Sequence, residues 1–225
     1  NFISDNGERG IGILSFQGVI TANTIVRNRL YNLGIEGDAD VCAPGNWWGA
    51  GDVKKTIFDK ENDPAKGRAA YLPVLTEPLP FVWPQRTIRS DTMWHDSILV
   101  SGTVNVEPGS VLTLSPSTRV LFAKNAGLTV RGAIRALGEK NAPISFAAAE
   151  GDDAGIWDEI LLDHAGGSVF SHCTFANATW AVHSHFTDLR VDSCSFVNNT
   201  GGLRFTSGPI EITRSLFERN EIGIR

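Results

Sequence analysis

Apolar residues recur along this chain in short alternating pairs and not in helical stripes. Val104-x-Val106, Leu112-x-Leu114, Val120-x-Phe122, Leu128-x-Val130, Ile144-x-Phe146 and Ile160-x-Leu162 each put two apolar side chains on one face of an extended segment. Gly, Asn, Pro and Ser fill the gaps between them. Period-two alternation over a few residues between turn formers predicts short strands joined by tight turns.

The pairs also repeat at long range. Phe175, Phe196 and Phe217 are spaced by 21 residues, and Cys173, Cys194 and Ser215 keep the same interval. Phe170, Val191 and Ile212 do so too, as do Val182, Leu203 and Ile224. Near the start, Ile3 and Ile25, Asn6 and Asn28, Gly12 and Gly34, and Ile13 and Ile35 are spaced by 22. A unit of three short strands cannot bury its apolar face alone. Stacking such units at the inter-strand spacing of about 4.8 Å buries that face and pairs the backbone along the stack. The fold class expected is all-β, a right-handed parallel β-helix with coils of about 21–24 residues, the hand following from the preference of parallel crossovers. Asn6, Asn28, Asn199 and Asn220 fall at turns, where Asn tolerates the left-handed conformation and can bond its stacked neighbour.

Gly102-Thr-Val-Asn-Val-Glu-Pro-Gly-Ser-Val-Leu-Thr-Leu114 and Leu128-Thr-Val-Arg-Gly-Ala-Ile-Arg-Ala-Leu-Gly138 resemble the opening coils of right-handed parallel β-helix repeat proteins. That family includes the NosD-like and the carbohydrate-binding and sugar-hydrolase repeats. Ala43-Pro-Gly-Asn-Trp-Trp-Gly49 is similar to a terminal segment of its exported bacterial members. The resemblance implies a fold and not one activity, because the same scaffold carries lyases, hydrolases, epimerases, adhesins and inert rods.

Four parts are expected: the last coils of a first β-helix over 1–42, a Trp-Trp-Gly cap over 43–80, a Pro-rich linker over 81–96, and a second β-helix over 97–225. An open β-helix end needs a cover for its core and strand edges, and Trp47 and Trp48 supply the apolar area. Lys54–Asp59 is expected to form a short helical turn. The second β-helix is expected to continue past Arg225, with end-to-end stacking on further coils.

Composition narrows the function classes. A formal net charge of −5 gives no electrostatic footprint for nucleic acid. No apolar run is long enough to span a membrane. Three cysteines, Cys42, Cys173 and Cys194, are too few for a disulfide miniprotein or a zinc cluster. Cys173 and Cys194 are expected to stack inward beside Phe175 and Phe196, a geometry open to a disulfide between coils.

Candidate chemistry is sparse. His183 and His185 lie two apart on a strand whose Val182 and Ser184 point inward, so both imidazoles should face out at a metal-compatible spacing. One coil either way, Asp163 and Arg204 complete an outward row of Asp163, His183, Arg204 and Arg225, a candidate binding surface. Asp59 with Asp63, and Asp38 with Asp40, offer hard oxygen donors suited to calcium, the one cofactor considered. Trp94, Trp157 and Trp180 are candidates for stacking on sugars, although Trp180 aligns with Ile222, taken as inward, and so reads as core.

No coil carries the paired carboxylates that glycoside hydrolysis needs. The reading is therefore a non-enzymatic exported or cell-surface segment, secreted or periplasmic. It would act as scaffold, adhesion surface or binding surface for a polysaccharide or another surface protein. The alternative is a fragment of a polysaccharide-active lyase, hydrolase or epimerase whose active face lies in coils outside this chain.

Overall fold

The computed structural model describes residues 1–225. It is an all-β solenoid of about ten turns, its stacked sheets all parallel. The chain divides into two compact units, Asn1–Phe81 and Val82–Arg225.

In the first unit Phe2–Ser4 pairs with Thr24–Val26, and Arg9–Ile13 pairs with Tyr31–Ile35 and then Ile57–Phe58. Val41–Cys42 pairs with Ala69–Ala70, and Thr24 bridges to Trp47. The tryptophan segment thus lays a further rung on the stack. Trp48 is buried in a core with Ile25, Leu33, Ile35 and Ile57, while Trp47 is half-buried. A single 3₁₀ turn, Val53–Thr56, starts at Asp52, whose carboxylate accepts from the Lys54 N–H at 3.2 Å.

In the second unit each coil contributes one strand to each of three sheets. The first contains Thr92–Trp94, Val111–Leu114, Ala133–Leu137, Ser168–Ser171, Leu189–Asp192 and Ile210–Thr213. The second runs from Ser97–Val100 through Arg119–Phe122, Ile144–Ala148, Cys173–Ala176 and Ser195–Val197 to Leu216–Glu218. The third runs from Thr87–Ile88 through Thr103–Val106, Gly127–Val130, Trp157–Asp163, Ala178–His185 and Gly201–Thr206 to Ile222–Ile224. Thr87–Ile88 and Thr92–Trp94 belong to this stack although they fall within the stretch read as linker.

The phenylalanine column exists. Ring centroids of Phe175 and Phe196 lie 4.6 Å apart and those of Phe196 and Phe217 4.5 Å apart, both pairs stacked. Phe146 extends it by one rung, 4.9 Å from Phe175. Each buried ring contributes roughly 1.5–3 kcal/mol of burial free energy. Coil length varies more than the 21–24 residues expected. Thr92 pairs with Leu112, 20 residues on, whereas Arg135 pairs with Val169, 34 on. The longer coils carry extra residues in their turns, which leave the strands in register.

Asparagine ladders join the coils at their turns. Asn1 Nδ2 donates to Asn23 Oδ1 at 2.8 Å, and Asn23 Nδ2 to Asn46 Oδ1 at 2.9 Å. Asn199 Nδ2 donates to Asn220 Oδ1 at 2.9 Å. The ladder asparagines are not themselves the left-handed residues, contrary to expectation. Positive φ falls one residue earlier, at Asp5, Arg27, Asn198 and Arg219. After that kink the amides of Asn28, Asn199 and Asn220 bond backbone carbonyls of the turn.

Candidate functional site

The third sheet of the second unit carries the candidate site on its outer side. Trp157–Asp163 and Ala178–His185 pair in parallel, with a register shift at Glu159/Ile160. Trp180 is opposite Glu159 and Val182 is opposite Ile160, so Ala181 is an extra residue. Ala181 and Val182 are both fully buried in succession, which breaks the strict alternation. A bulge of this kind re-aims the neighbouring side chain. Trp180 is consequently half-buried at the surface and not core as expected, with the Arg204 guanidinium 5.8 Å from its ring centroid.

Gly201 makes this placement possible. A Cβ built there would meet the Trp180 ring at 2.2 Å, so only glycine leaves room for the indole on the next rung. The other two aromatic candidates lie in the core. Trp94 is 1% exposed, and Trp157 is fully buried, stacked on Phe122 with centroids 4.3 Å apart.

His183 and His185 both lie on the outer side, but the row differs from the expected one. Leu161, not Asp163, is the rung below His183, and Arg204 is above it. Asp163 instead lies below His185, with Thr206 above. The expected row stepped back 20 residues from His183, whereas the paired strands, with Ala181 inserted, are offset by 22 there. Arg225 bonds through its backbone to Leu203 and Phe205, which sets it beside Arg204.

The structure adds a partner the sequence pattern did not suggest. Glu159 Oε2 lies 2.8 Å from His183 Nδ1, and His183 Nε2 faces His185 Nε2 at 2.5 Å. Because a carboxylate only accepts, His183 Nδ1 carries the proton and its Nε2 carries the lone pair. His185 Nε2 then donates to it. Burial lowers the His183 pKa below its ordinary 6.5, partly opposed by the Glu159 carboxylate. His183 is therefore neutral in neutral solution. The signal that could have found Glu159 is an acid one coil away on an outward position, but the bulge hides that register.

Alongside, Asp163 Oδ1 accepts from His164 Nδ1 at 2.8 Å, and Arg131 Nε lies 3.6 Å from Oδ2. The His164 hydrogen bond holds the Asp163 carboxyl below its ordinary value. The His164 ring stacks on Phe186 at 5.1 Å. Glu159, His183, His185, Trp180 and Arg204 thus form one continuous patch, with Asp163, His164 and Arg131 at its edge.

The acidic candidates lie elsewhere and are not combined. Asp59 is buried, its carboxylate accepting from the backbone N–H of Glu61 at 2.9 Å and of Ala69 at 2.9 Å. Asp63 caps its own turn through the Ala65 N–H at 3.0 Å, and Asp40 accepts from the Arg68 N–H at 2.7 Å. No group of three or more His, Cys, Asp or Glu side chains gathers around one point. Cys173 and Cys194 stack inward as expected, and both thiols are free. Burial pushes the Cys173 thiol well above its ordinary pKa, so it is inert as a nucleophile.

No family model, curated protein or solved structure matches the chain. No helix is long and apolar enough to cross a membrane.

Proposed function

We propose that this chain is a non-enzymatic β-helical segment of an exported or cell-surface protein, akin to the NosD-like and carbohydrate-binding repeats, and that it presents a saccharide-binding face. The observation that carries this reading is the half-buried Trp180 beside Arg204 on the outer side of the third sheet. A sugar offers an apolar ring face and a rim of hydroxyls. An indole body beside a guanidinium meets both, and the guanidinium also suits a uronate carboxylate. The patch runs along the stack across successive rungs, so an extended polymer fits it better than a small molecule. Core packing and cross-coil pairing hold the rungs rigid, which keeps the ordering cost of binding low.

Glycan-array binding by the intact chain tests this. Binding to an acidic polysaccharide, lost in Trp180→Ala and in Arg204→Ala with the β-sheet circular dichroism retained, is expected. Undiminished binding in both variants, or binding to no glycan, would overturn it.

A second reading is a piece of a polysaccharide-active enzyme, favoured by the carboxylate-oriented imidazole of Glu159 and His183. Such a pair suits proton abstraction. Release of unsaturated or reducing-end products from a polyuronate would replace the binding reading with this one.

A further inference from the structure

The His183–His185 pair has a feature that sugar binding does not use. Both side chains project from one face of a strand, two residues apart, and their rings lie 4.3 Å apart at 61°. Their Nε2 atoms point at each other. Behind His183, Glu159 accepts a hydrogen bond from Nδ1–H, which leaves Nε2 with an in-plane lone pair. A carboxylate behind a ligating imidazole is the arrangement that orients such rings and raises their basicity. His183 is only 8% exposed, so its ring is held by the sheet before any ligand arrives.

We propose that His183 and His185 form a two-imidazole site for a borderline transition-metal ion, with Glu159 as its orienting carboxylate. Metal–nitrogen bonds of about 2.0 Å at the right angle of a tetragonal Cu²⁺ site require the two nitrogens to sit roughly 2.8 Å apart. The His185 ring, less buried than that of His183, reaches that separation by a shift of a few tenths of an ångström. On binding, His185 transfers its proton from Nε2 to Nδ1, so both imidazoles stay neutral and both offer lone pairs. Charge around the site is balanced. Glu159 and Arg204 both act on His183, and Asp163 lies 3.6 Å from Arg131. Since no third His, Cys, Asp or Glu converges, water completes the coordination. Two imidazoles with water favour Cu²⁺ over Ni²⁺ or Zn²⁺, and exclude the hard ions Ca²⁺ and Mg²⁺. The metal site and the sugar face use different side chains, so either can fail alone.

Titration of the intact chain with Cu²⁺, followed by electron paramagnetic resonance, tests the site. One equivalent of Cu²⁺ with a two-nitrogen hyperfine pattern is expected, and it is lost in His185→Gln. Glu159→Gln should weaken binding by about 10–100-fold while keeping the two-nitrogen pattern. His95→Gln/His172→Gln should leave both unchanged. An unaltered spectrum in His183→Gln/His185→Gln, or equal retention of Ca²⁺, would overturn the proposal.

Discussion

At the scale of single residues, the turns depend on side chains that replace backbone partners. Asn199 is fully buried. Its Nδ2 donates to the carbonyl of Phe175 at 3.1 Å and of Val197 at 3.3 Å, while Oδ1 accepts from the Ala178 N–H at 2.9 Å. Truncation strands these buried backbone groups. Asn199→Ala should cost about 2–4 kcal/mol, the penalty of unsatisfied buried polar groups, measured as a lower denaturant midpoint with the slope unchanged. Acid sensitivity is also set residue by residue. Hydrogen bonds from Thr213 and Arg214 hold Asp192 below its ordinary 3.8, so the folded state binds a proton there less readily than the unfolded state. That contribution is complete above pH 3.8 and is lost as pH falls below it. Burial likewise lowers His183, flanked by Glu159, His185 and Arg204, and its contribution is lost as pH falls below 6.5. Thermal melts across this range should show both losses, and Asp192→Asn should remove only the more acidic one.

At the scale of strands and columns, repetition made the core readable and irregularity hid the site. Phe175, Phe196 and Phe217 were legible because their coils have equal length, whereas Phe146 belongs to a longer coil and kept no fixed interval. Phe175 packs against Phe146, Phe196 and the edge of Phe170, at 5.3 Å. Phe175→Ala should therefore destabilise by about 3–5 kcal/mol through an unfilled cavity. Phe217→Ala, at a half-buried position with one stacked neighbour, should cost clearly less in the same calorimetric comparison. The outward orientation of His183 and the inward one of Ser184 followed from alternation alone. Glu159 and Trp180 did not, because an extra residue at Ala181 slips the register, and no local pattern marks a bulge. Gly201 is the cross-check. Gly201→Ala drives a methyl group into the indole, so tryptophan fluorescence should shift and saccharide binding should fall, with the Phe column intact. Unchanged fluorescence would contradict the packing of Trp180 over Gly201.

At the scale of the molecule, a parallel stack converts distance in sequence into adjacency in space, and the patch exists only through that conversion. The solenoid, its apolar columns and its acidic net charge are properties of composition and period, which a sequence carries plainly. The patch of Trp180, Arg204, Glu159 and His183 is a property of two coils of unequal length, and only coordinates supply it. The most direct measurement is nitrogen-15 imidazole spectroscopy of histidine-labelled protein. Glu159 and His183 are 24 residues apart and bonded at 2.8 Å. His183 should therefore be the Nδ1–H tautomer and should lose that signature in Glu159→Ala, which removes the acceptor. An Nε2–H tautomer at His183, indifferent to that substitution, would mean that these two rungs do not lie on one another as described.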